Sequence, residues 1–123
     1  MNVNEGLKET LERCQSTGGW YGIEITSLSD RNSMNDTPLH TVCSWGELAP
    51  IRQLVAAGAD VNARGDKGST PLFNAVIGRN PEVIGFLIRS GANVTLRNDL
   101  GWSVIGYAQD ISAPKEIIEA LGG

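Results

Sequence analysis

The sequence predicts an all-α solenoid, in which short pairs of helices stack side by side along one chain. Two observations carry this prediction. Motifs recur at a fixed step of about 33 residues, and each recurring unit combines helix-start signals with apolar residues at helical spacing. The length of 123 residues corresponds to one domain, so we expect a single repeat domain over residues 1–123.

The repeat is visible in two matching segments. DTPLHTVC begins at Asp36, and STPLFNAV begins at Ser69. A weaker copy, WSVIGYAQ, begins at Trp102 after the same step. One such unit cannot bury its apolar face alone, so neighbouring units are expected to stack. The units are predicted at about residues 28–66, 67–99 and 100–123.

Each unit is predicted to contain two helices followed by a hairpin-like loop. Thr37 and Thr70 are expected to cap the first helices, because each precedes a proline at the first helical position. Second helices are expected to start near Asn80 and Ser112, which also lie just before prolines. Helix-ending glycines in the left-handed conformation are expected at Gly58 and Gly91.

The N-terminal segment, residues 1–27, matches no full unit and is predicted to cap the first repeat. Leu7, Leu11 and Cys14 share one face of an amphipathic helix whose opposite face is charged. The segment WYGIEIT is expected to be extended, with Gly18–Gly19 as the break before it. A flexible tail is the alternative, which the apolar residues of that segment disfavour.

Composition and charge exclude several classes of function. Ten basic against fourteen acidic residues leave a net charge of −4, which disfavours nucleic acid as a partner. No apolar run approaches the ~18 residues of a membrane helix, and the N-terminus lacks the pattern of a secretory signal. With only two cysteines there is no disulfide framework, so a cytoplasmic location is expected.

The repeated motifs resemble those of the ankyrin-repeat family. TPLH with GADVNA in the first unit and TPL with GANV in the second carry the resemblance, which covers about residues 28–123. The third unit departs from TPLH and keeps the spacing, Ala108 and an apolar second helix, as suits a terminal unit. The resemblance implies a non-catalytic module without cofactor or metal, either a monomer or a heterodimer with a protein partner.

His40, the only histidine, lies three residues before Cys43, so a helix places both on one face. A Cys–His nucleophile would also need an orienting group and an oxyanion hole, and a zinc site needs about four ligands. The sequence shows neither set. The resemblance implies instead that His40 bonds the hairpin backbone and that Cys43 is packed in the core, which leaves an enzyme as the remote alternative.

The resemblance also implies where a partner would bind, at the hairpin tips and the exposed side of the first helices. Exposed aromatic and apolar side chains at such positions are typical of binding hot spots. The period places the candidate partner-binding residues at Arg31, Met34, Asp36, Trp45, Arg64, Asp66, Lys67, Ile77, Arg97, Asp99, Leu100, Trp102, Asp110 and Ile111.

Two of these assignments keep open alternatives. Trp45 either faces the concave groove with Trp102 or packs under the N-terminal cap. The three arginines of this set recur with the repeat period and are expected to form a ladder along the hairpins. Either neighbouring aspartates, Asp66 and Asp99, neutralise this ladder, or it faces an acidic partner.

A sharper functional expectation comes from resemblance alone. A short, acidic chain of this kind resembles small bacterial ankyrin-repeat proteins that act as immunity factors, which bind and block a cognate toxin. The expected partner is then a toxin domain. The alternative is a scaffold or a regulatory inhibitor of a cellular enzyme.

Overall fold

The computed structural model describes residues 3–123, and within that range it is all-helical with no β-strand. The predicted fold class is confirmed. Met1 and Asn2, the first residues of the predicted cap, lie outside the described range. The helices are α1 (Val3–Gln15), α2 (Pro38–Cys43), α3 (Leu48–Ala56), α4 (Pro71–Gly78), α5 (Pro81–Arg89), α6 (Val104–Asp110) and α7 (Lys115–Ala120).

The helices stack in two rows, as a solenoid requires. The first helices of the units, α2, α4 and α6, contact one another in sequence order and form one row. The second helices, α3, α5 and α7, form the other row, and α1 extends it beside α3. The N-terminal helix therefore occupies the place that the second helix of a preceding unit would take.

The predicted caps start the first helices in the first two units. Thr37 and Thr70 are the N-cap residues of α2 and α4, each followed by a proline at the first helical position. In the third unit the matching residue is Ser103, whose hydroxyl accepts a hydrogen bond from Gly106 N–H at 3.0 Å. The third unit has lost the TPLH motif but retains a capping hydroxyl, which satisfies a helix-end N–H.

One helix starts three residues after Ser112, still within the segment SAPKEI near which its start is predicted. The helix α5 begins after Asn80, whose side chain accepts a hydrogen bond from Glu82 N–H, as expected. The helix α7, however, begins at Lys115, with Pro114 rather than Ser112 as its N-cap. Ser112 has a left-handed backbone with φ 54°, and the helical region is sterically disfavoured for Ala113, the residue before Pro114, so the helix starts only after Pro114.

The core lies between the two rows and combines residues of the first helices with the second-helix positions that keep helical spacing. Gly58 and Gly91, with φ of 102° and 101°, turn the chain after α3 and α5, which confirms their predicted left-handed conformation. The large fully buried aliphatic side chains include Leu39, Ile51, Leu54, Leu72, Ile84, Leu87 and Ile117.

The N-terminal helix is amphipathic as predicted, with Cys14 buried and Leu7 and Leu11 packed against the core. The segment predicted to be extended forms no strand. Gly18–Trp20 is a 3-10 helix, because the N–H groups of this stretch bond carbonyls three residues back, residues 21–22 form a turn, and residues 23–26 have no regular structure. Trp20 is fully buried and its Nε1 donates to Thr41 Oγ1 at 2.9 Å, which ties the cap to α2.

Candidate functional site

The three hairpin-like loops are closed by the same backbone bond, which recurs with the period of the units. In each, an N–H donates to the carbonyl oxygen four residues later, and the residue just before the acceptor has a positive φ. The repeated turn aligns the loop tips along one side of the solenoid. The donor and acceptor pairs are Asn32 with Asp36, Gly65 with Ser69, and Asn98 with Trp102, at 2.9, 2.7 and 3.0 Å.

His40 joins the first loop to the second. Its Nε2 lies 2.9 Å from the carbonyl oxygen of Ser69, and its Nδ1 lies 3.1 Å from Thr37 N–H. Nδ1 therefore accepts and Nε2–H donates, which assigns the neutral tautomer from the hydrogen-bond network. Burial lowers the pKa of His40 and so favours this neutral form. The predicted role in bracing the hairpin is confirmed.

The His40–Cys43 pair does not form a reactive site. Cys43 is fully buried, and burial raises the pKa of its thiol, which keeps it protonated. Both ring nitrogens of His40 are engaged by Thr37 and Ser69. Over residues 3–123, no group of three or more His, Cys, Asp or Glu side chains comes together as a metal site would require.

The predicted arginine ladder is present, but the neighbouring aspartates do not neutralise it. Arg31 Nη1 donates to the carbonyl oxygen of Arg64, and Arg64 Nη1 donates to that of Arg97 at 2.6 Å. Each arginine also bonds a carbonyl of its own hairpin. The ion pairs found among residues 3–123 are Arg13–Glu47 and Lys115–Glu119, so the ladder is paired with backbone carbonyls rather than with Asp66 or Asp99.

A concave groove of about 490 Å³ runs along the loop tips of all three units and the first helices of the second and third. It collects many of the predicted partner-binding residues, and their apolar members are 40–65% exposed. The groove is lined by Met34, Asp36, Asp66, Lys67, Ser69, Phe73, Asn74, Ile77, Asn98, Leu100, Trp102, Tyr107 and Asp110.

Trp45 packs under the cap and does not line the groove, which resolves its two alternatives. The guanidinium of Arg13 in α1 lies over the Trp45 ring, 3.9 Å from the ring centroid, at a distance typical of a cation–π contact. Arg13 also pairs with Glu47 at 2.5 Å. The expectation that Trp45 brackets the groove with Trp102 is therefore wrong, because α1 covers that side of α2.

The other predicted partner-binding residues that do not line the groove lie elsewhere, each for its own structural reason. Arg31, Arg64 and Arg97 are held by the ladder along the hairpin backbones. Asp99 lies against the neighbouring hairpin, where its N–H donates to the carbonyl oxygen of Lys67 at 2.9 Å. Ile111 follows the last residue of α6 and is exposed beyond the end of the groove.

Asn74 and Tyr107 line the groove but were not among the predicted residues. A signal for both exists in the sequence. Asn74 lies three residues before Ile77 and Tyr107 three before Asp110, and residues three apart share a helix face. Tyr107 also packs on Phe73 with ring centroids 5.7 Å apart, which fixes its position in the groove wall.

The two stacked helix rows and the groove define a helical-repeat protein-interaction module. The family of ankyrin repeats (3 copies) matches residues 5–98, which is more than half of the chain. This chain belongs to the ankyrin-repeat family. The match includes most of α1 and ends before α6.

Relatives with this repeat come from distant organisms. A putative ankyrin repeat-containing protein of Treponema pallidum is 36% identical over 93 residues, which is 76% of this chain and 30% of that protein. Ankyrin repeat and SOCS box protein 11 of Homo sapiens is 36% identical over 117 residues, covering 95% of this chain and 32% of that protein. Human BCL-6 corepressor-like protein 1 is 29% identical over 113 residues, covering 86% of this chain and 6% of that protein. The chain thus spans about a third or less of these relatives.

No helix among residues 3–123 is long and apolar enough to cross a membrane.

Proposed function

We propose that this chain binds a protein partner through the concave groove. The observation that supports this most directly is the convergence of exposed apolar side chains from all three units. Met34 comes from the first unit, Ile77 from the second, and Leu100 and Trp102 from the third, and all line one groove. Exposed aromatic and aliphatic anchors in a concave site are the usual source of binding energy in protein interfaces.

The scaffold around the groove supports shape-specific binding. His40 and the arginine ladder connect successive hairpins through backbone carbonyls. Such cross-links hold the loop tips in fixed register, so a partner that fits the groove loses little free energy in ordering it. The ladder arginines act as structural braces in this proposal rather than as partner contacts.

The proposal extends to the kind of protein partner. We propose a toxin domain, which the chain would block as an immunity protein, acting as a monomer or as a heterodimer with that domain. The support is the resemblance to small bacterial immunity proteins. The two free cysteines fit a reducing cytoplasm as the place of action. A scaffold or regulatory inhibitor of a cellular enzyme is the other candidate, favoured by the larger relatives, of which this chain spans about a third or less.

Capture from an extract of the organism that encodes the chain tests the groove. Immobilised wild type, Trp102→Ala and Arg89→Ala are compared, because Trp102 lines the groove whereas Arg89 is exposed on α5. A protein bound by wild type and Arg89→Ala but lost with Trp102→Ala is the expected result. Its affinity for Trp102→Ala should fall by ~30- to 1000-fold in calorimetry, corresponding to ~2–4 kcal/mol.

Equal loss with both variants, or loss with Arg89→Ala alone, would contradict the groove assignment. Thermal melts of the same samples show whether Trp102→Ala is folded. Co-expression of the captured protein with and without this chain then separates the finer alternatives. Growth arrest that this chain relieves supports a toxin partner, whereas growth unaffected by the captured protein contradicts it.

A further inference from the structure

The groove carries more negative than positive charge. Asp36, Asp66 and Asp110 line it with one cation, Lys67, and aspartate side chains are negatively charged at neutral pH. The ladder arginines are not among the lining residues, and their guanidinium groups bond hairpin carbonyls outside the groove. The lining of the groove therefore combines a net negative charge with apolar side chains.

The groove carboxylates are not neutralised by the chain itself. Neither ion pair among residues 3–123 involves a groove residue. Asp36 Oδ1 accepts one hydrogen bond, from Asp66 N–H at 2.8 Å. Within the same described range, the carboxylates of Asp66 and Asp110 accept no hydrogen bond from a protein donor. They remain available to a cationic group that enters the groove.

Two aromatic side chains line the groove together with these carboxylates. Trp102 and Tyr107 line the groove together with Asp110, and Trp102 is 40% exposed. A guanidinium or ammonium group is attracted both to the face of a tryptophan and to a carboxylate, and desolvation in a groove strengthens each interaction. Ile77 and Leu100 line the same groove and offer apolar contact beside such a cation.

We propose that the groove takes a protein segment in which a basic residue, arginine or lysine, is flanked by apolar side chains. The inference rests on the proposed function, since it names the chemistry of the partner for the same groove. The apolar neighbours of the segment contact Met34, Ile77 and Leu100, and the cation lies against Trp102, Asp66 and Asp110. Charge complementarity selects this occupant over an acidic segment, which would face uncompensated carboxylates.

A displayed library of short random peptides tests the inference directly. Binders are selected on wild type and depleted on Trp102→Ala, so that only groove-dependent peptides remain. We expect arginine or lysine beside aromatic or aliphatic residues in the enriched set. An enriched peptide is then synthesised, together with a version in which glutamine replaces its basic residues, and both are titrated by fluorescence anisotropy.

Charge variants provide the matched controls. Asp66→Asn with Asp110→Asn should weaken the basic peptide about tenfold or more, and added salt should reduce the difference. Glu116→Gln with Glu119→Gln removes the same two charges from the exposed face of α7 and should leave the affinity unchanged. The glutamine peptide should bind weakly to wild type and show little dependence on these aspartates.

The outcomes separate this inference from the groove itself. Groove-dependent peptides that are acidic or uncharged would overturn the basic-partner inference while supporting the groove. If the depletion on Trp102→Ala removes every peptide that binds wild type, that result would count against the groove. If wild type itself selects no peptide, the inference is overturned, because a linear basic segment is what it names, and the groove is left to the capture experiment.

Discussion

Gly46 and Gly78 bring the backbones of the first two units into direct contact. Gly46 lies in the turn between α2 and α3, and Gly78 is the last residue of α4. A Cβ placed on Gly78 would lie 2.7 Å from the carbonyl oxygen of Cys43, and one placed on Gly46 would overlap the carbonyl of Gly78. Because backbone rather than a mobile side chain fills this space, neither position has room for a larger residue.

Gly78→Ala is therefore expected to destabilise the chain despite the better helix propensity of alanine. Forcing extra volume into a packed contact costs ~1–3 kcal/mol, measured as the free energy of unfolding in urea. Gly85→Ala is the matched control, since a Cβ there meets only the flexible end of Arg89 at 3.1 Å. That control should be neutral or stabilising by up to ~1 kcal/mol, and equal losses in both variants would contradict the close contact.

His40→Phe should fold and retain partner affinity, because Phe73 fills the equivalent buried position in the second unit. The bonds to Thr37 N–H and the Ser69 carbonyl are lost, at a cost of ~1–2 kcal/mol. Chemical denaturation checks the loss of stability, and calorimetry with the captured partner checks the affinity. A folded variant without binding would show that His40 does more than brace the hairpin.

Wild type and His40→Phe should differ in the pH dependence of their stability. Burial lowers the pKa of His40 in the fold, the nearby Asp36 opposes this and Arg31 adds to it. The unfolded chain binds a proton near pH ~6.5 while the fold resists it, so stability is full above that pH and declines below it. His40→Phe should lose this part of the acid sensitivity between about pH 7.5 and 5.5. Parallel curves for the two proteins would contradict a buried neutral His40.

Trp20→Ala should strongly destabilise the chain, whereas Tyr21→Ala should not. Trp20 is fully buried and bonded to Thr41, while its neighbour Tyr21 is 90% exposed. Truncating a buried aromatic costs ~3–5 kcal/mol, and a surface substitution stays within ~0.5 kcal/mol. Thermal and urea melts provide the comparison. A small effect of Trp20→Ala would mean that residues 16–27 are a tail rather than an anchored cap.

The repeat period, most of the helix starts and the turn glycines could be predicted from the sequence without the structure. These features depend on local rules, such as the hydroxyl and proline before a first helix or the left-handed conformation of Gly58 and Gly91. Apolar spacing also identified the α1 face that packs against the core. The start of α7 shows the limit of such rules: Ser112 precedes a proline as Asn80 does, but the helix begins only at Lys115, after Pro114.

Which exposed residues share the groove, by contrast, depends on how the units pack. The sequence makes both Trp45 and Trp102 candidate partner-binding tryptophans. In the structure, Arg13 of α1 covers the first, whereas the second lines the groove. Arg31 bonds a carbonyl of the next unit, a contact that needs both units to be stacked. A period identifies equivalent positions, whereas burial and hydrogen-bond partners depend on what lies beside each unit, and the first and last units have different neighbours from the middle one.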